Sequence, residues 1–262
     1  MSRSRSELPL HVQRPIHGPN GEAILTLLTP SGGLLAGDEI DLHVECLSGA
    51  DVLIRQTGAT RLGRCDEEPI RFDATFYVSE GARLRFLPYE LLPSAGADYI
   101  QNIHLLLEDG AEATFLEVIS PGAGDPFAYQ QIVLRMEAHL HRHPHPGSRS
   151  REGGTGEMIL LDATRVFPAD GDGILALGGH SHFATLHIFG PALGQSDADA
   201  LHATLSNNGL VASATVLPHY GIGARLVGDS ADAMLRALRS AYAPINLSLP
   251  EAGSLLRPNT VP

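Results

Sequence analysis

The chain is 262 residues long, 43% hydrophobic and 18% charged, with mean hydropathy close to zero and no tryptophan. That length allows a substantial core, in one large β domain or two smaller ones. With 30 acidic residues against 18 basic ones the formal charge is −12, which argues against nucleic acid or an anionic membrane as partner and favours basic surfaces or cations.

The first residues, Met1–Glu7, carry charge but lead into no apolar h-region, and no run in the chain reaches transmembrane length. Cys46 and Cys65 are too few for a disulfide framework. A reducing, cytoplasmic setting is therefore expected. Pro30–Asp38 places Gly32, Gly33 and Gly37 close together, which suits turns of positive φ or a close backbone approach. The stretch lacks the Gly-Lys-Ser/Thr ending of a phosphate loop and leads into a strand, so no helix N-terminus waits for an anion. That strand, Glu39–Cys46, alternates strictly between polar and apolar, with Cys46 on its apolar side.

A repeated unit follows. The turns around Gly49, Gly81 and Gly110 each read polar-Gly-Ala between two strands, and they recur roughly every thirty residues. The strand before the second turn points Phe72, Ala74, Phe76 and Val78 one way and Arg71, Asp73, Thr75 and Tyr77 the other. Self-similarity of this period predicts an all-β-dominated fold, a β-helix or solenoid of stacked strands with about two helices. An unrelated series of hairpins in a sandwich is the alternative. Glu90 stands among apolar residues beside Pro88, either lining a polar channel or pairing with Arg61 or Arg85.

In the second half, composition predicts a His/Pro/Gly-rich loop at about 139–157 and a loose tail at about 249–262. Strands are read at Met158–Leu161, Ile174–Leu177 and Thr185–Phe189, and a short helix at Ser196–Leu205. The strongest helix is Ser230–Ala243, capped by Asp229 or Ser230, with Ala231, Met234, Leu235, Leu238, Ala241 and Tyr242 on one face, and it ends at Pro244.

Two histidine groups are candidates for chemistry. His139, His141, His143 and His145 alternate with other residues, so an extended backbone would put their imidazoles on one face, and imidazole suits nickel, copper or zinc. No carboxylate or thiolate is spaced to complete the set, and an adventitious surface loop is the plainer reading. His180 and His182, with His187 nearby, form the second group, in which alternation puts the first two on one face of a strand. Gly179–Phe183 has part of a nucleophile elbow but lacks its second glycine and the strand-to-helix change. Asp66, Glu67 and Glu68 read as a solvated turn.

The ordered set of motifs resembles the urease accessory protein UreD (UreH) family. It runs from Leu8–Pro15 through Gly32–Asp38, Gln56–Arg61, Phe86–Pro93, Gly124–Tyr129 with Arg135 and Glu137 behind it, to Ala224–Asp229 before the helix. Arg61-Leu62-Gly63 stands where the family usually carries Lys-Val-Tyr, Pro121-Gly122-Ala123 replaces an expected Gly-Arg pair, and Asp125 replaces a Glu. The resemblance covers nearly the whole chain and implies one domain over 1–262. It also implies a non-enzymatic scaffold that binds the urease apoprotein and the accessory proteins UreF and UreG and helps insert nickel into the urease site. No catalytic residue and no permanently bound cofactor are expected, nickel being at most a transient cargo. On this resemblance Gly32, Gly33, Gly37, Asp38, Thr60, Arg61, Pro88, Glu90 and Asp125 are structural or interface residues. The rival readings are a relative that kept the fold without a urease partner, and a histidine-based metal-dependent hydrolase.

Overall fold

The computed structural model describes residues 5–121, 125–141, 156–168, 177–207 and 210–242. Two short strands, β1 (His11–Val12) and β2 (Ile16–His17), pair antiparallel with β3 (Ala23–Leu28). From β3 the chain coils. It runs through β4 (Glu39–Cys46), β5 (Asp51–Gln56), the short β6 (Thr60–Leu62), β7 (Ile70–Val78), β8 (Arg83–Leu87), the short β9 (Leu91–Pro93), β10 (Asp98–Glu108), β11 (Glu112–Ile119) and β12 (Gln131–His141). β3, β5, β8 and β11 stack parallel in one sheet, and β4, β7, β10 and β12 stack parallel in a second. The result is a β-solenoid of about four coils, as the repeat predicts.

The tight turns between the second sheet and the first are the repeated glycines. Gly49, Gly81 and Gly110 adopt φ of 73°, 69° and 81°, a left-handed conformation that glycine enters without a Cβ penalty. Each turn closes with the same bond: Ala50 N–H to Leu47 O at 2.9 Å, Ala82 to Ser79 at 2.9 Å, and Ala111 to Glu108 at 3.0 Å. Coil-to-coil bonds continue through the turns, with Arg83 N–H donating to Ala50 O and Glu112 N–H to Ala82 O. Inside, Phe76 meets Phe86 and Phe115 with ring centroids 5.1 and 5.0 Å apart, within the range of favourable aromatic pairs. Cys46 and Cys65 are both buried and form no disulfide, and burial, with the charge of Asp51, pushes the Cys46 thiol up to about 12. Cys46 is thus a small core residue.

After the last coil the pairing turns antiparallel. β13 (Glu157–Val166) extends the second sheet beside β12, and β14 (His182–Phe189) extends the first beside β11. Helix α1 (Gln195–Asn207), β15 (Val211–Leu217), β16 (Gly221–Gly228) and helix α2 (Ala231–Tyr242) complete the described chain, with β16 between β14 and β15. The helices cover the outer face of the first sheet. Leu201 and Leu205 from α1 and Met234, Ala237 and Leu238 from α2 share one core with Leu116, Leu186, Ile222 and Leu226. Ser230 caps α2, its hydroxyl accepting from Ala233 N–H at 3.3 Å. The Tyr220 hydroxyl donates to Ala111 O at 2.8 Å and accepts from Gly110 N–H at 3.1 Å, fastening the C-terminal part to the third glycine turn.

Four readings of the sequence need correction or fall at least partly outside this description. The loop expected from 139 is still strand at His139–His141, because Ala138 and Leu140 continue the inward alternation of β12 and pair with β10. At the other end of that range Glu157 already belongs to β13. Residues 142–155 and the tail at 249–262 lie outside the described residues, as does most of the strand read at Ile174–Leu177, of which Leu177 stands in a turn. The expected helix faces hold for Met234, Leu235 and Leu238, while the side chains of Ala241 and Tyr242 are not described.

Leu238 is 1% exposed, so Leu238→Ala should lower the unfolding free energy by about 2–5 kcal/mol. Denaturant titration measures this, and an unchanged midpoint would show that α2 does not pack through this residue.

Candidate functional site

The family-motif residues gather on one wall. The connections from the first sheet back to the second hold Gly32, Gly33, Gly37 and Asp38 after β3, Thr60 and Arg61 after β5, Pro88 and Glu90 after β8, and Asp125 after β11. These connections stack on one another through backbone bonds, opposite the tight glycine turns. Leu34 N–H donates to Arg61 O and Gly63 N–H to Leu34 O, both at 2.8 Å, and Thr60 N–H donates to Glu90 O at 2.9 Å. Gly33 is required by contact: a Cβ there would lie 2.6 Å from Arg61 O. Asp38 accepts from Leu35 N–H at 2.8 Å and so shapes the turn into β4, and Asp125 accepts from Phe127 N–H at 2.9 Å to shape its own turn. Arg61 is exposed and Thr60 is buried, donating to Gln56 Oε1 at 3.0 Å. Glu90 pairs with neither Arg61 nor Arg85. It accepts from the Ser120 hydroxyl at 2.5 Å, while Arg85 lies on the outer row of β8 and pairs with Asp51.

Behind this wall the interior holds a cavity of about 30 Å³, room for roughly one or two water molecules, lined in part by Gln56, Thr60, Pro88, Tyr99, Gln101 and Glu117. A chain of polar side chains leaves it. The Tyr99 hydroxyl donates to Gln101 Oε1 at 2.9 Å, Gln101 donates through Nε2 to Glu117, and the Thr185 hydroxyl donates to the other Glu117 oxygen at 3.0 Å. Next along β14, His187 Nε2 lies 3.0 Å from Asp162 Oδ2, and Arg225, largely exposed, closes the line on Asp162. The row thus runs from an apolar interior to the surface, where the two sheets meet beyond the last coil. Burial pushes the Glu117 carboxyl up, opposed by the His187 charge and by the bonds from Thr185 and Gln101. At Asp162 burial also acts upward, but the His187 bond and charge and the Arg225 guanidinium overcome it and hold the carboxyl below its usual range.

Glu117, Asp162 and His187 were not singled out together from the sequence. The available signal was a lone ionisable residue inside each of two wholly apolar runs, Phe115–Ile119 and Leu186–Phe189. Burying such groups is costly unless they are paired, and only the register, Glu117 opposite Thr185, supplies the partners.

The histidine groups behave differently from their expected layouts. His139 and His141 stand on β12 rather than in a loop, and His139 Nδ1 lies 3.3 Å from Gly156 O. His143 and His145 lie outside the described residues. Among the described residues no group of three or more His, Cys, Asp or Glu side chains is placed to hold a metal ion. His180 and His182 do not share a strand face, because β14 starts only at His182 and two left-handed glycines, Gly178 and Gly179, turn the chain before it. Asp229 binds His180 at 2.9 Å and Ser181 N–H at 3.2 Å, and the Ser181 hydroxyl meets the adjacent His182 at 2.8 Å. The aspartate therefore orients a different histidine from the one beside the serine, which is not the relay a hydrolase needs. No helix among the described residues is long and apolar enough to cross a membrane.

The sequence profile of the family described as UreD urease accessory protein matches residues 1–255. A urease accessory protein UreD of Actinomyces naeslundii is 27% identical over 226 residues, covering 84% of this chain and 78% of its own length. That of Cenarchaeum symbiosum is 25% identical over 249 residues, covering 91% and 83%. That of Alkalilimnicola ehrlichii is 28% identical over 246 residues, covering 93% and 80%.

The opposed shifts in the polar row make stability depend on pH in opposite senses at its two carboxylates. Glu117, raised in the fold, contributes stability that is fully present below its unfolded value of about 4.3 and lost as pH rises through the folded value. Asp162, lowered in the fold, contributes stability that is present above about 3.9 and lost as pH falls through the folded value. Glu117→Gln should therefore gain stability relative to the native chain as pH is raised from about 5 to about 8, while the deficit of Asp162→Asn should shrink on acidification. Melting curves from about pH 8 down to about pH 2 cover both windows, and differences from the native chain that do not change with pH would show that neither shift operates.

Proposed function

This chain belongs to the UreD urease accessory protein family, and from that premise we propose that it is a maturation scaffold that engages the urease apoprotein together with UreF and UreG and passes nickel toward the urease active site. The observation that carries the proposal is the polar row from the interior cavity through Gln101, Glu117 and Thr185 to His187, Asp162 and Arg225. Imidazole suits nickel and carboxylate attracts a divalent cation, and groups held singly along a path can pass a cation on without trapping it in a closed set. The solenoid supports such a role because its rigid coils fix the row between two broad faces. On this reading the chain works as a non-enzymatic chaperone in the cytoplasm, and nickel is cargo rather than a resident cofactor.

The test is urease activation in cells carrying the urease subunits and the other accessory proteins. Glu117→Gln and His187→Ala should still co-purify with UreF and UreG yet activate urease several-fold less well when nickel is scarce. Full activation by both variants, with the complex intact, would overturn the row's part in transfer. Loss of the complex in the native chain itself would overturn the scaffold role.

The four histidines give a separate expectation. Replacing His139, His141, His143 and His145 with serine should leave partner binding and activation intact across a nickel titration. A deficit at low nickel that excess nickel rescues would instead mark a holding site, since mass action compensates for weakened affinity.

A further inference from the structure

The outer face of the second sheet is open among the described residues, whereas the corresponding face of the first sheet lies under α1 and α2. Parallel sheets are usually covered on both faces. Of the large hydrophobic side chains exposed in the molecule, Tyr77 (47%), Met158 (49%) and Leu161 (55%) stand on this face, and Leu47 stands in the turn at its rim. Half-buried Ile100 and Leu106 point outward from its central strand, β10. The charges are unevenly spread. The β4 edge presents Glu39, Asp41 and Glu45, with Asp73 beside Arg71 on the next strand, while Arg135 on β12, paired with Glu137, and Arg165 on β13 stand toward the opposite edge.

We propose that this face is a docking surface for a second copy of the chain, paired about a two-fold axis that runs along β10 in the plane of the face. The register decides the geometry. β4, β7, β10, β12 and β13 lie side by side, with Glu39 level with Arg71, Ile100, Val133 and Arg165, and with Asp73 level with Asn102 and Arg135. A two-fold along β10 keeps these levels and exchanges the edges. Glu39 then meets the partner's Arg165, Asp73 meets the partner's Arg135, and Tyr77 meets the partner's His139. Ile100 and Leu106 meet their own copies on the axis. Each pair occurs twice, as an isologous contact requires. An axis across the strands would instead stack Glu39 on the partner's Glu45. Five strands spaced about 4.8 Å apart give a face of roughly 500–600 Å² per copy, so about 1,000–1,200 Å² in total, at the lower bound for a specific interface. The dimer is accordingly expected at the weak end of specific association. The net charge of −12 on each copy opposes association at low salt, so the contact is best read at physiological ionic strength.

Sedimentation equilibrium of the purified full chain at graded concentration tests the proposal. The native chain should dimerise, and Asp73→Arg and Arg135→Asp should each weaken the dimer by about tenfold or more, since each sets like charges against one another at two places. Both positions are exposed, so neither variant should lose its fold, which melting curves verify. An equimolar mixture of the two variants should restore association, because in the mixed pair every reversed charge faces an opposite one. That rescue in trans is not expected of a change that merely disturbs the monomer. A chain that stays monomeric at all concentrations, a dimer indifferent to both reversals, or a mixture that fails to recover would each overturn the proposal. A monomer whose face is covered instead by another protein of its assembly would do the same.

Discussion

Backbone hydrogen bonding between successive coils is the constraint on which everything else in this molecule depends. A parallel strand pair cannot close through a two-residue hairpin, so each strand must travel around the coil and return in register with the one below. That return is possible only if every turn takes up the same axial rise. Gly49, Gly81 and Gly110 meet the requirement on one side, where a left-handed residue reverses the chain and leaves its neighbours free to bond to the next coil. On the other side the connections are longer, and they are kept in step by bonds such as Leu34 to Arg61 and Thr60 to Glu90. Gly33 has no room for a side chain because the Arg61 carbonyl occupies it.

The apolar interior is built for the same register, and its exceptions are informative. Phe76, Phe86 and Phe115 fill the middle of the coils, yet Tyr99, Gln101 and Glu117 interrupt the lumen beside them. Replacing such a polar set by well-packed hydrophobic residues is often neutral or stabilising, so its presence is better explained by what it does than by what it holds together. Its satisfaction is nearly complete, because Thr185, His187 and Asp162 arrive from strands outside the coils to meet Glu117 and its neighbours. The polar row thus depends on the change from parallel to antiparallel pairing after β12, which brings β13 and β14 to the end of the solenoid.

Much of the architecture could be read from the chain because local rules and global fold agree. The polar-Gly-Ala turns recur at the coil length, the strands alternate with period two, and α2 carries its apolar stripe at helical spacing. Where the reading failed, long-range placement had overridden composition. The histidine-rich end of β12 looked like loop because His139 and His141 are polar and sit beside proline, but their neighbours Ala138 and Leu140 face the core and the strand continues. Glu90 seemed suited to an arginine, yet Arg85 is on the far side of its strand and Ser120 is the nearer group. The row of Glu117, Asp162 and His187 was illegible as a set because its members come from separate strands and meet only through the register of two sheets.

Tyr220 gives the molecule an order of events. Contacts between coils join residues about thirty positions apart, as Ser48 joins Glu80 and Arg83 joins Glu112, so the solenoid can assemble as it leaves the ribosome. The hydroxyl of Tyr220 instead reaches back 110 residues to the Gly110 turn, and it finds both its donor and its acceptor only when the third turn is already formed. The C-terminal strands and helices consequently have no finished surface to settle on until the coils exist. Synthesis from the N-terminus supplies the parts in that sequence, so the surface that receives the apolar stripes of α1 and α2 is made before the helices are.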